Sequence, residues 1–256
     1  MAIYLIIAAV AMLASLLTFF SGFGLGTLLL PAFTVFFSIE IAIALTGVVH
    51  LLSNIFKFVL VGKNINKSIL IRFGITAIIG AAIGAVLLSQ LYENQILTSW
   101  NNGKYNVTWL KITMAFVMLF FALFELVPYL KNLNFDKKYL PFGGFLSGFF
   151  GGLSGHQGAL RSAFLIRYGL SKEALVATGV AIACLIDITR LSLYYKHFLN
   201  ETVSNQWFLL LIATLSAFVG AYFGNKLLKK VTIESVQKIV AFALIVFAIV
   251  FGLGII

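Results

Sequence analysis

The chain reads as an all-α polytopic membrane protein built from two homologous repeats. Each repeat is a glycine-broken, re-entrant segment followed by three transmembrane helices, and the two are inverted relative to each other. Two observations carry this reading. Composition is 61% hydrophobic and 10% charged over 256 residues, with mean hydropathy +1.06, whereas a soluble domain carries about 25% charged residues. The second is that the sequence is written twice. Ser21–Gly22 recurs at Ser154–Gly155, and Thr46–Val48 at Thr178–Val180. Asn54 and Lys57 recur as Asp187 and Arg190, and the Gly80–Gly84 pair recurs at Gly220–Gly224.

Taken in order, residues 1–20 lack a basic n-region and a small-residue cleavage site, so they are kept as part of the mature chain. An apolar stretch broken by glycines covers 3–37, with its break at "SGFGLGT" (21–27) and Pro31 just beyond. Three continuous spans follow at 41–60, 68–91 and 109–130. The second half repeats the order: a broken stretch at 140–168 with "GGLSGHQG" (151–158), then spans at 174–195, 207–228 and 237–256. Each span meets the ~20 residues that a ~30 Å hydrocarbon core demands. The halves divide as 1–131 and 132–256, forming one integrated transmembrane unit.

Loop charge bears on whether the broken stretches cross. If they re-enter, 14 of the 18 Lys and Arg fall on one face and 4 (Lys104, Lys111, Arg190, Lys196) on the other; if they cross, the split is 9 and 9. The positive-inside bias favours re-entry, with the basic face cytoplasmic. In the second half, Leu140–Phe150 is 11 residues, about 16 Å of helix.

Irregular backbone at membrane depth belongs where it is buried in protein or lines a wet cavity. The N–H groups opening a half-helix, with its dipole, make an anion site. The substrate-binding candidates in the first break are therefore Ser21, Gly22, Gly24, Gly26 and Thr27, and in the second Ser154, Gly155, His156, Gln157 and Gly158. Arg161, three residues into the second half-helix, opposes the dipole unless an anion or a carboxylate lies between. Glycines 80, 84, 220 and 224 read as close-packing positions between helices.

At 100° per residue, Thr46, His50, Ser53, Asn54 and Lys57 share one arc, and Cys184, Asp187, Arg190 and Tyr194 share a similar one, with Thr178 opposite. Such stripes face the bundle interior. Asn54, Lys57 and Arg190 join the substrate-binding candidates. Asp187 and His50 are the proton-coupling candidates, although Asp187 and Arg190 also have the spacing of a self-neutralising i,i+3 pair. Glu125 lies within an apolar span and receives no role.

The duplicated glycine-rich break, "GLSKEALVATG" (169–179) and "GAxxG" in the next span together resemble the sulfite exporter TauE/SafE family, also called the TSUP transporters, over essentially the whole chain. That resemblance implies transport of small sulfur-containing anions such as sulfite, sulfoacetate or thiosulfate-like species. It implies roles for Ser21, Gly22, Gly24 and Gly26 in one break, with Pro31 beyond it, and for Gly151, Gly152, Gly155 and Gly158 in the other. The chain departs from the family where "GHQGALRSAF" (155–164) replaces glycines running to a proline. His156, Gln157 and Arg161 are added chemistry, compatible with an organic anion or one richer in hydrogen-bonding groups.

The expected function is a secondary transporter, an exporter, of sulfite or a sulfur-containing organic anion at the cell membrane. An anion channel and a non-transporting assembly subunit stay open. The sequence offers no P-loop, no metal motif and no serine–histidine–acid arrangement, so neither an enzyme nor a cofactor is expected. The expected partners are a small anionic substrate and the bilayer. Nucleic acid is not expected despite the net charge of +10, and homo-oligomerisation stays open.

Overall fold

The computed structural model describes residues 1–21, 25–92, 96–127, 135–165, 168–194, 200–227 and 233–255. Among these, the first half holds helices α1 (Ala2–Ser21), α2 (Gly26–Thr34), α3 (Ile39–Val61), α4 (Lys67–Tyr92) and α5 (Trp109–Leu126). The second holds α6 (Leu140–Ser154), α7 (Gly158–Leu165), α8 (Lys172–Tyr194), α9 (Asn200–Leu227) and α10 (Ile233–Gly252). Five of them, α3, α4, α5, α8 and α9, are long and apolar enough to cross a membrane. α1 and α10 have 20 residues each, about 30 Å at 1.5 Å per residue.

Burial follows membrane logic. On α4 the inward face is Phe73, Ala77, Ala81, Ala85 and Leu88, all fully or almost fully buried, while Ile71, Ile75, Ile79, Ile83 and Val86 lie exposed where lipid would sit. α4 and α6 meet backbone to backbone. A methyl group added at Gly80 or Gly84 would strike the backbone around Phe145, Phe149 and Leu153, and one at Gly144, Gly148 or Gly152 would strike that around Phe73, Ala77 and Ala81. Gly220 on α9 plays the same part against Met12 and Leu16 of α1. Gly80, Gly84 and Gly220 are packing positions, as expected; Gly152, expected as part of the second break, packs there too, as do Gly144 and Gly148.

The principal helix contacts come in exchanged pairs. α4 packs on α6 as α9 packs on α1, and α4 packs on α8 as α9 packs on α3. α3 packs on α8, and α5 on α10.

The structure adds three features to the expected spans. Residues Ile96–Trp100 (β1) and Tyr105–Thr108 (β2) form an antiparallel hairpin whose turn places Asn101, Asn102 and Gly103 at φ of 54°, 56° and 81°. It is tied to the chain end by Trp100 Nε1–H donating to the Leu253 carbonyl at 2.8 Å. α6 runs through Gly151 and Gly152 to Ser154, 15 residues rather than 11, because α4 covers its glycine face and supplies the packing those residues lack on their own. α9 carries a non-helical Gln206 (φ −118°, ψ 20°) just before Trp207, where the expected span begins.

Thr178, on the face of α8 opposite the polar stripe, is fully buried and accepts from the Asn66 N–H at 3.0 Å, immediately before α4. Asn66 Oδ1 in turn accepts from the Ile69 N–H. Thr178→Val is expected to leave that N–H unpaired and cost about 1–2 kcal/mol, seen as a lowered unfolding midpoint of the detergent-solubilised protein. An unchanged midpoint would remove the capping role.

Candidate functional site

Both helix breaks end at the same place. The first lies between Ser21 and Gly26 and the second is Gly155–Gln157, between α6 and α7. A Cβ built at Gly26 would sit 3.4 Å from Thr46 Cγ2, 3.8 Å from the Gly155 carbonyl oxygen and 3.9 Å from His50 Cδ2. Gly26 and Thr27 open α2 and are buried. Gly22 and Gly24 lie outside the described residues, as does the side chain of Ser21. Pro31 is the sixth residue of α2, past its first turn, so the Thr27 carbonyl loses its partner one turn on.

The second break is built by its own side chains. Gly155 takes φ +83° and ends α6 in the left-handed region, where a side chain would be strained. Ser147 Oγ–H donates to the Gln157 carbonyl at 2.9 Å and pins the chain as it turns into α7. Ser154 Oγ–H donates to the Phe150 carbonyl at 3.0 Å, and the same oxygen lies 3.1 Å from His156 Nδ1. The His156 ring stacks on Phe121 of α5, with centroids 5.6 Å apart.

At the centre is Asp187, fully buried on α8. Its Oδ2 lies 2.6 Å from His50 Nδ1 and accepts from Asn54 Nδ2–H at 3.2 Å. Its Oδ1 accepts from Arg190 Nε–H at 3.0 Å, with Arg190 Nη2 at 2.9 Å. Gln157 links outward: its Nε2–H donates to Asp187 Oδ1 at 3.5 Å, and its Oε1 accepts from Arg161 Nη1–H at 3.5 Å. The expected i,i+3 pair of Asp187 and Arg190 therefore exists, and Asp187 is shared between both halves. Asn54 and Asp187, one repeat apart in sequence, touch each other.

The structure brings together His50, Asn54, His156, Gln157, Arg161, Asp187 and Arg190 through these contacts, with Lys57 close enough to Arg161 for mutual repulsion. All are buried. Arg161 does not reach out to the interface, and Asp187 is the carboxylate whose attraction it feels, relayed through Gln157.

Some contributors were not marked by sequence. Gly47 and Gly179, the glycines of the two "TG" pairs, are where guanidinium groups lie on bare backbone. Arg190 Nη2 is 3.5 Å from a Cβ position at Gly47, and Arg161 Nε is 3.2 Å from one at Gly179. Tyr194, which helical phase already places on the inward stripe of α8, is fully buried and donates its hydroxyl to the Gly152 carbonyl. The signal was the recurrence of "TG" itself, which marks a repeat without showing what it accommodates. Glu125 is buried on α5 and takes no part in the contacts above.

Electrostatically the cluster sets the two guanidinium groups of Arg161 and Arg190 against the one carboxylate of Asp187, with the buried Lys57 near Arg161. The buried Thr46 Oγ1 and His156 Nε2 have no hydrogen-bond partner, and the N–H groups that open α7 precede its first helical bond, from the Arg161 N–H to the Gln157 carbonyl. Surplus positive charge with unfilled hydrogen-bonding positions is what an anion completes. No protein among the curated ones matches the chain. The family model described as sulfite exporter TauE/SafE matches residues 7–251, nearly its whole length. The chain belongs to the sulfite exporter TauE/SafE family, and it is an integral, multi-pass membrane transporter of the cell membrane rather than an enzyme.

Proposed function

We propose that the chain is a secondary transporter, working as an exporter, of a small oxyanion, sulfite or a sulfur-containing organic anion, held where the two helix breaks meet. The observation that carries this reading is the buried cluster in which the guanidinium groups of Arg161 and Arg190 share the one carboxylate of Asp187. Holding two guanidinium groups on one carboxylate in a low-dielectric interior is costly, and a bound anion offsets that cost only while it occupies the site. Movement is a rocking of residues 1–131 against 132–256 about the breaks. The exchanged helix pairing, α4 on α6 with α9 on α1, supports that division. The 2.6 Å contact of His50 with Asp187 supports these two as the proton-coupling pair.

The test is uptake of radiolabelled sulfite into proteoliposomes preloaded with sulfite, sulfoacetate, sulfate or no anion. Wild type is expected to show saturable, preload-driven exchange. Arg161→Ala should lose at least about tenfold in uptake at low substrate. Flux that neither saturates nor responds to the preload would make the protein a channel. Well-folded protein without flux would overturn the reading.

A further inference from the structure

The unfilled positions of the cluster differ in hydrogen-bonding sense, and this deepens the proposed function by narrowing its substrate. The Ser154 hydroxyl has one hydrogen. Its 3.0 Å approach to the Phe150 carbonyl, an acceptor only, has the geometry of a hydroxyl whose hydrogen lies between the two oxygens. The oxygen then accepts from the His156 backbone N–H at 3.4 Å and faces His156 Nδ1 at 3.1 Å. Nδ1 must therefore be the protonated nitrogen, donating to Ser154. In the neutral ring, Nε2 is then a lone pair. That nitrogen is buried, in a residue 3% exposed, and has no partner. The ring is held by its stack on Phe121 and lies within electrostatic reach of Arg190 and His50.

Donors lie on the elements beside this break. Thr46 Oγ1, in a residue 1% exposed, has no hydrogen-bond partner. Thr46 precedes Gly47, on which the Arg190 guanidinium rests. The same guanidinium packs against Gly155, the residue before His156, with Nη1 2.9 Å from the Cβ position there. Arg190 Nη2 makes an ion pair with Asp187 but no hydrogen bond of good geometry. Donors from α3 and α8 thus border the second break, which carries one bare acceptor.

We propose that the site selects an anion bearing an O–H group, with Thr46 and Arg190 holding its charged oxygens and His156 Nε2 accepting its hydroxyl hydrogen. The O–H belongs either to a singly protonated oxyanion or to a hydroxyalkyl sulfonate. Gln157 and Arg161, both engaged with each other, act as positioning residues. The proposal rests on the anion-transport reading, and its failure is separable from failure of that reading.

The experiment compares 2-hydroxyethanesulfonate, ethanesulfonate and hydrogen sulfite as competitors of labelled sulfite binding to the purified, full-length protein. It uses wild type, His156→Phe and Ser154→Ala. Wild type should favour 2-hydroxyethanesulfonate over ethanesulfonate by about tenfold or more, because the unfilled acceptor is satisfied only by the first. His156→Phe keeps the stack on Phe121 and should bring the ratio near one. Ser154→Ala removes the partner of Nδ1, frees the other tautomer and should lower the ratio. A hydroxyalkyl substrate is indicated if 2-hydroxyethanesulfonate outcompetes hydrogen sulfite, and a protonated oxyanion if the order is reversed. Equal wild-type affinity for the two sulfonates, which a donating imidazolium would give, overturns the proposal and leaves anion transport intact. So does a preference that persists in His156→Phe. No binding of any of the anions overturns both.

Discussion

Asp187→Ala is expected to lose about 3–5 kcal/mol of stability and all measurable exchange, whereas Asp187→Ala combined with Arg190→Met recovers most of the stability and none of the exchange. The reason lies in what each change leaves behind. Asp187 is fully buried and its two oxygens receive His50, Asn54, Arg190 and Gln157. Removing it strands the Arg190 guanidinium, 1% exposed, beside Arg161 and Lys57 with the counter-charge gone. An uncompensated buried charge costs several kcal/mol, while deleting both partners of such a pair is often close to neutral. The two substitutions are in contact and should be strongly non-additive. Unfolding midpoints in detergent read the difference. Sulfite should also raise the midpoint of Asp187→Ala more than that of wild type, because an anion can take the carboxylate's place beside Arg190. A single variant as stable as wild type would mean that Asp187 does not hold the cluster together.

Much of this architecture was legible because membrane spans are written in plain apolar runs. The stretch 41–60 became Ile39–Val61, 68–91 became Lys67–Tyr92, and 174–195 became Lys172–Tyr194. Helical phase alone placed His50, Asn54 and Lys57 inward on α3 and Asp187 and Arg190 inward on α8, and all five are buried. The pairings were not legible. Gln157 bridging Asp187 to Arg161 joins residues 30 and 4 positions apart across a helix break, and no periodicity connects them. The hairpin was missed for a different reason. Its signal, "NNG" (101–103) between "ILTSW" and "YNVT", was present, but a short ordered loop is inconspicuous between helices that dominate the hydropathy. The length of α6 was misjudged because glycine lowers helix propensity, and only the α4 surface, distant in sequence, offsets that.

The α4–α6 seam yields the other large effect: Gly148→Leu is expected to prevent the bundle from assembling. A Cβ at Gly148 would overlap the Ala77 backbone, with the Ala77 Cα and carbonyl carbon each only 2.7 Å away. Backbone cannot turn aside as a side chain can, so the helices must separate, which also opens the neighbouring contacts of Gly80, Gly84, Gly144 and Gly152. Overpacking of side chains costs about 1–3 kcal/mol, and a clash with backbone should exceed that range. Even Gly148→Ala should be severe. Gly62→Ala is the contrasting change, because its Cβ would meet only the Phe58 ring, at 3.4–3.5 Å, an ordinary contact with a side chain. The functional consequence follows from position: α6 carries Ser147, Ser154 and the approach to Gly155, so a displaced α6 removes the second break from Arg190 and Asp187. Size-exclusion profiles and unfolding midpoints should show Gly148→Leu aggregated or absent and Gly62→Ala near wild type. A monodisperse Gly148→Leu protein with a wild-type midpoint would mean that the seam is looser than its backbone contacts require, and that α6 is free to move against α4.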